Sequence, residues 1–325
     1  MKKLLLTSLS SLILPFSAIS CVNTNSKVDS NSSFEIKQKK YYYKNESINS
    51  ILDFYTKNNK DKKNIYIFQQ ENKSDAKYNE LKYAFVYDPI FIQNSVHKNG
   101  DYNYLANKSK DIIEKSLSDD WYWVLNNLSS FKYIFNPYGD RYRAFPKEKE
   151  YFNQIKEIFK SLFVSVVDSK PTKLIKFPFQ NIEKLTSKDV YTEKEAWYLI
   201  FDNNMAIKLW KYIENETPKI QILPDLLIFK NTNNIEEQLT ELENLIHQKR
   251  LAEFNRDYES AKEDAELEDE PFDEEAFLNQ RIDKKYIEFQ GIYKYNGHFV
   301  DVLNEINKEE LKIYRFSMRF IDEKN

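Results

Sequence analysis

Large apolar side chains recur three and four positions apart through much of the first half of the chain, the spacing of an amphipathic helix. The densest stretch is 119–142, DDWYWVLNNLSSFKYIFNPYGDRY. Trp121, Leu125 and Leu128 share one broad face with Val124 and Phe131, which predicts a helix that starts at the negative Asp119-Asp120 and ends near Phe135. Pro137 biases Asn136 out of helical dihedrals, and Asn136-Pro137-Tyr138-Gly139 places Pro and Gly as a tight turn requires. Further helices are expected over 46–58, from the candidate cap Ser74 toward Val96 with a kink at Pro89 and a stop at Asn99-Gly100, over 111–117, and over 147–167.

Past Lys170-Pro171 the pattern changes. Residues 174–179 read as extended, and 197–201, Asp202-Asn203-Asn204 and 205–210 read as strand, turn, strand, with alternation that buries one face. A helical reading of 193–213 also fits, because Trp197, Phe201 and Met205 are four apart. Two apolar runs, 220–223 and 226–229, flank Pro224-Asp225, which predicts separate strands. Residues 234–267 carry a long helical stripe through Ile235, Leu239, Leu242, Ile246 and Leu251. Strands are expected again over 286–289, 291–295 and 299–303, the last two joined by the hairpin signal Asn296-Gly297, and over 311–320. The expected fold is α+β, with a helical N-terminal half and an antiparallel sheet with one long helix in the C-terminal half.

The amino end has a different grammar. Met1-Lys2-Lys3 precedes an apolar run over 4–14 and the short or small residues Ser17-Ala18-Ile19-Ser20 before Cys21, the layout of a secretory signal. Cys21 is the sole cysteine among 325 residues, so no internal disulfide forms, and a cysteine at this place is expected to carry lipid, the alternative being an uncleaved membrane anchor or an ordinary secretory signal. Ala18 stands where a lipobox usually has Leu. The expected organisation is therefore a lipoprotein signal peptide over 1–20, a flexible tether over 21–33, a mainly helical region over 34–170 and a β-rich region over 171–325. The basic and aromatic run 37–44 is read either as a headgroup-facing strip or as a lead-in packing on the first helix.

Cleavage before Cys21 leaves 46 basic against 51 acidic side chains, so no positive excess attracts nucleic acid. Twelve of the acids crowd into 253–275, against Arg256 and Lys262. That cluster lacks the glycine and ligand order of a calcium loop and reads as an exposed helix end and acidic loop. His97, His247 and His298 stand far apart without metal-site spacing and are expected to be exposed bystanders. No GxSxG, GxxxxGK[ST] or GxGxxG occurs, and lipidated Cys21 leaves no thiol nucleophile. No catalytic residue, cofactor or metal site is assigned.

Trp121, Trp123, Leu125, Asn126, Phe131, Tyr133, Phe135, Asn136, Pro137, Tyr138, Gly139, Asp140 and Tyr142, together with the signal-like start and the Lys-, Asn- and Tyr-rich, Gly-poor composition, resemble the mycoplasma surface lipoproteins grouped as aromatic motif membrane proteins. The resemblance implies a lipid-anchored protein on the outer face of a wall-less bacterium's cell membrane, and implies no activity. Two readings of the motif follow. Trp123, Tyr138, Arg141 and Tyr142 present a surface to a protein partner, as aromatic and Arg hot spots do, or the rings are core and Asp140 braces the turn. Tyr122 and Tyr138 lie off the main stripe and are the members expected outside. The functional expectation is a lipid-anchored binding or interaction protein; the alternatives are a surface hydrolase or nuclease, and a structural subunit of a membrane complex.

Overall fold

The computed structural model describes residues 44–73, 76–87, 101–136, 148–166, 170–188, 191–202, 204–281 and 296–321. Five helices come first: α1 (Glu46–Tyr55), α2 (Lys60–Glu71), α3 (Ala76–Tyr87), α4 (Asp101–Ser118) and α5 (Trp121–Asn126). Asn45 and Asn59 cap α1 and α2 through their side-chain oxygens, which accept from the third backbone N–H beyond. Then follow β1 (Phe131–Phe135), α6 (Glu148–Phe159), β2 (Phe163–Val164) and β3 (Pro171–Pro178). The rest comprises β4 (Tyr191–Phe201), β5 (Met205–Glu214), β6 (Thr217–Phe229), α7 (Ile235–Leu267), α8 (Glu274–Arg281), α9 (Asn296–Ile306) and β7 (Ile313–Ile321). The fold is mixed α+β, with helices in the N-terminal half, an antiparallel sheet and a long C-terminal helix.

All seven described strands belong to one sheet in the order β2-β1-β7-β6-β5-β4-β3, and every pairing is antiparallel. Strands β1 and β2 come from the stretch expected to be helical, so one sheet draws on both halves of the chain. The expected helix over 119–135 is six residues of α5, a 3-10 turn over Leu128–Ser130, and a strand. Phe131-Lys132-Tyr133-Ile134-Phe135 alternates buried and half-buried, and its backbone pairs with β7 nearly two hundred residues later. Local helical spacing loses here because a sheet edge supplies hydrogen bonds that the helix end cannot. The side chains of Asn126 and Asn127 bond back to the carbonyls of Tyr122 and Trp123, each at 2.7 Å, and close the helix.

Other elements also depart from the expected bounds. The stretch after Phe159 leaves the helix at Lys160, whose φ is 57°, and turns into β2. β6 runs unbroken through Pro224. Ile207 pairs with Leu226 and Leu209 with Ile222, so Leu223-Pro224-Asp225 bulges opposite Lys208, where a missing proline N–H costs no ladder bond. Asn296-Gly297 opens helix α9 rather than a hairpin, because Phe299, Val302, Leu303 and Ile306 recur at helical spacing and bury against the core. Part of the acidic stretch is helix α8. The strands expected over 286–295 and the segment from Pro89 to Gly100 lie outside the described residues. With four glycines available, several left-handed positions fall to other residues: Asn215 (φ 47°) and Glu216 (φ 61°) make the two-residue β5–β6 turn.

Two helical layers cover the sheet. Trp197 and Lys211 face α1, where Phe54 meets the Trp197 ring at 5.8 Å and lies 4.7 Å from the Lys211 ammonium. Their neighbours Tyr198 and Lys208 face the opposite way, toward Glu243 on α7 and Phe299 on α9. One apolar cluster runs through helices and sheet, with Trp121, Trp123 and Trp210 sealed inside it. Each such ring removes about 200 Å² from water, or about 5 kcal/mol of transfer free energy. A smaller cluster of Ile182, Leu185, Phe254 and Phe277 fastens the outer half of α7 to α8.

Candidate partner-binding surfaces

Of the residues singled out in the sequence, Trp123 is a core residue at 1% exposure. Its ring meets Tyr78 edge-on at 4.9 Å and Phe131 at 6.5 Å, so it offers no face to a partner. Tyr122, expected outside, is also 1% exposed, because the short α5 is enclosed by α2, α4 and the sheet on all sides. Tyr138, Arg141, Tyr142 and the lipidation candidate Cys21 lie outside the described residues. Among the described residues no helix is long and apolar enough to cross a membrane.

The buried aromatic centre is built from three helices and one acid. Tyr55, Tyr66, Trp121 and Tyr122 meet tilted or edge-on at 4.8 to 6.4 Å. Burial pushes the Tyr55 hydroxyl up to about 12, with the charges of Asp119 and Asp120 adding to it. Asp120 stands at the N-cap of α5 yet makes no capping bond. It pairs instead with Lys73 at 2.9 Å and Lys77 at 3.0 Å and accepts from Gln70 at 3.2 Å, while Gln70 in turn accepts from the Trp123 backbone N–H. Burial pushes its carboxyl up, but the bonds from both lysines and Gln70 outweigh burial and hold it below its ordinary value.

The end of β1 is held by a buried polar clamp at Asn136. Asn136, the residue before Pro137, donates from Nδ2 to Ser317 Oγ at 2.9 Å, and Ser317 donates to Asp225 Oδ1. Asp225 Oδ2 accepts from Arg315 Nε at 2.9 Å, and Arg315 Nη1 donates to the Asn136 carbonyl at 3.3 Å. These four residues close a ring of hydrogen bonds that fixes Asn136 against β7 and β6. Tyr314 and Phe316 alternate with Arg315 and Ser317 and pack on Phe159 of α6, so the clamp lies on the opposite face of β7.

Two sets of residues outside the core have the chemistry of recognition. Helices α2, α3 and α4 expose Phe68, Tyr83 and Tyr104 at 68%, 65% and 67%, with Ile65 and Val86 beside them in sequence. The second is a groove between α7 and β3, the outermost strand at that end of the described sheet. Lys173 pairs with Glu236, Gln180 donates to Asn244 at 3.1 Å, and Arg250 donates to the Gln180 carbonyl, so helix and strand run side by side in the same direction. Between them lies an open trough of about 590 Å³ bounded by Lys173, Ile175, Ile200 and Glu237, and a shallow hollow of about 420 Å³ lies on α7 alone, along Glu241, Asn244 and Gln248. The two hollows share Glu237 and Thr240, and Asn244 also borders a partly open cavity of about 80 Å³.

Arg250 lines that cavity at 1% exposure, its guanidinium 4.1 Å from the Phe179 ring and Nη2 3.0 Å from His247 Nδ1. The Lys194 ammonium lies 4.3 Å from the same ring. Glu243, also in the lining, is held by Lys208 at 2.9 Å and by the Tyr198 hydroxyl. Sequence reading missed Arg250, although a signal was present: Leu239, Leu242, Ile246, Arg250 and Phe254 follow one buried stripe, and an Arg on such a stripe is out of place unless it binds something. The expectation of bystander histidines is corrected too. His298 is buried with Nε2 2.7 Å from Glu253, since α9 turns it toward α7, and His247 meets Arg250. His97 lies outside the described residues. Among the described residues no group of three or more His, Cys, Asp or Glu side chains is placed to hold a metal ion.

No curated protein and no solved structure matches the chain. A family model described as aromatic cluster surface protein matches residues 22–273, more than three quarters of the sequence. On that match the chain, with its buried aromatic centre of Tyr55, Tyr66, Trp121 and Tyr122, belongs to the aromatic cluster surface protein family.

Proposed function

We propose that this surface protein is a lipid-anchored binding protein on the outer face of a wall-less bacterium's cell membrane. The observation that carries the binding reading is the exposure of Phe68, Tyr83 and Tyr104 on three successive helices. Large rings left in water forgo burial that the core would reward, and aromatic side chains are the ones that dominate recognition hot spots. The anchoring reading rests on the charged start, apolar run and single cysteine of the sequence, and is supported by a family match that begins at residue 22, directly after Cys21. Acylation of Cys21 holds the chain at the bilayer, and the buried aromatic centre gives the rigid body that displays the outer helices.

Two measurements test this. Metabolic labelling with palmitate marks the wild-type chain and spares Cys21→Ser; an unmarked wild-type chain removes the anchor. Pull-down with the full chain in detergent from host-cell surface extracts retains a partner, and Phe68→Ser with Tyr104→Ser weakens retention at least tenfold. Retention of nothing, or retention indifferent to both substitutions, overturns the binding reading.

A further inference from the structure

We infer that the open trough between β3 and the start of α7 binds a free amino acid with an apolar side chain. It is a second site, since none of the exposed rings of α2, α3 and α4 lines it. Its volume of about 590 Å³ falls within the range of about 300–1,000 Å³ usual for small-molecule sites. A strand irregularity shapes one wall. Pro171 pairs with Phe201 and Lys173 with Ile200, so Thr172 is an extra, bulged residue. Neighbours on a regular strand point to opposite faces, yet Thr172 and Lys173 both line the trough, which the bulge permits. Ile175 and Ile200, 6% and 7% exposed, give it an apolar floor. The other wall is the start of α7, which carries Glu236, Glu237 and Thr240.

Hydrogen-bond capacity decides the ligand class. Lys173 pairs with Glu236, and that contact takes one of the three N–H groups of its ammonium, leaving donors for a carboxylate. The pair is exposed at 57% and 58%, and ion pairs open to water hold weakly enough to be shared with a ligand. Glu237 makes no ion pair among the described residues, so an ammonium is what it lacks. Thr172 and Thr240 donate their hydroxyl protons to the carbonyls of Ile200 (3.2 Å) and Glu236 (2.7 Å), which leaves each oxygen able to accept. A plain cation leaves Lys173 idle, and a plain anion meets two carboxylates. A zwitterion with an apolar body uses both signs: its ammonium at Glu237 and the threonine oxygens, its carboxylate at Lys173, its side chain on the two isoleucines. The compact charge pair of an α-amino acid suits this site, because Glu237 stands next in sequence to the acid that Lys173 already touches.

The test is isothermal titration calorimetry of the full chain in detergent, with each standard free amino acid as the probe. One or more apolar amino acids bind saturably and glycine does not. The carboxy-terminal amide and the deaminated acid of the tightest binder bind at least tenfold more weakly. Lys173→Met and Glu237→Gln, both at exposed positions, each weaken binding at least tenfold, whereas Glu236→Gln frees Lys173 and binds at least as tightly as the wild type. Circular dichroism on the same samples shows the variants folded. No saturable binding of any amino acid, equal binding of the amide or the deaminated acid, or binding unchanged in either Lys173→Met or Glu237→Gln overturns the inference. Phe68→Ser with Tyr104→Ser leaves the titrations unchanged, so partner capture and amino-acid binding fail separately.

Discussion

Asp225 on β6 and Arg315 on β7 form an ion pair of 2.9 Å in the interior of the sheet, with side-chain exposures of 3% and 4%. Asp225 stands directly opposite Ser317 in the ladder, which lets one carboxylate accept from Ser317 and Arg315 together. The pair ties the bulged part of β6 to β7, whose Arg315 and Ser317 in turn hold Asn136 at the end of β1. A buried pair of this kind is weak evidence for net stability, but breaking it is costly, because the surviving charge has no water to retreat to.

Asp225→Asn therefore destabilises the fold by about 3–5 kcal/mol, since it leaves Arg315 charged and buried. Urea denaturation measures the loss. Arg315→Met combined with Asp225→Leu is milder than either single change, and a double change as costly as the sum of the singles contradicts this account.

Lys208 and Glu243 give the same asymmetry between sheet and helix. Glu243→Gln strands the ammonium of a lysine only 2% exposed and costs about 3 kcal/mol, whereas Lys208→Met removes the charge itself and costs less. Thermal melts of the two variants rank them, and Lys208→Met as the more damaging change would reverse the assignment.

Asp120 gives an acid-side signature. Its folded carboxyl lies below the ordinary value of 3.8, so its contribution is fully present above that value and disappears as pH falls through the folded one. Asp120→Asn lowers stability at pH 7 by about 2 kcal/mol, the worth of lost charge-assisted hydrogen bonds. It also flattens the decline of stability below pH 4, which guanidinium titrations at stepped pH detect.

Trp123→Ala costs about 3–5 kcal/mol by opening a cavity in the aromatic centre. Trp123→Phe retains fold and partner capture alike, because the ring's work is packing. Pull-down and circular dichroism on the same samples separate the outcomes; a folded Trp123→Phe that loses its partner would return this residue to the surface.

Glu216 holds a left-handed backbone at the β5–β6 turn, an arrangement that costs a side-chain-bearing residue about 1–2 kcal/mol. Its carbonyl accepts from Lys57 at 2.7 Å, a contact that does not depend on the side chain. Glu216→Gly raises stability by about 1 kcal/mol, read as a higher melting temperature.

The strongly periodic segments were legible before any coordinates. α1, the β4–β5 hairpin and α7 follow from spacing and turn residues, since in each the local pattern and the tertiary demand agree. The aromatic stretch was not, because Phe131 to Phe135 fits a helical stripe and a strand equally well, and only the ladder with β7 chooses. Asn296-Gly297 misled for the opposite reason: a strong turn signal at a place where the following residues bury at helical spacing.

By itself the sequence determined the charge, the single thiol, the signal-like start, the long helix and the mixed fold class, all of them properties of composition or of short-range period. The tertiary structure alone decided which rings are sealed and which face water, and it alone brought Asn136 to Ser317 and Arg250 to Phe179. Those pairings join residues far apart along the chain, and burial depends on what the rest of the molecule lays over a side chain rather than on its neighbours in sequence.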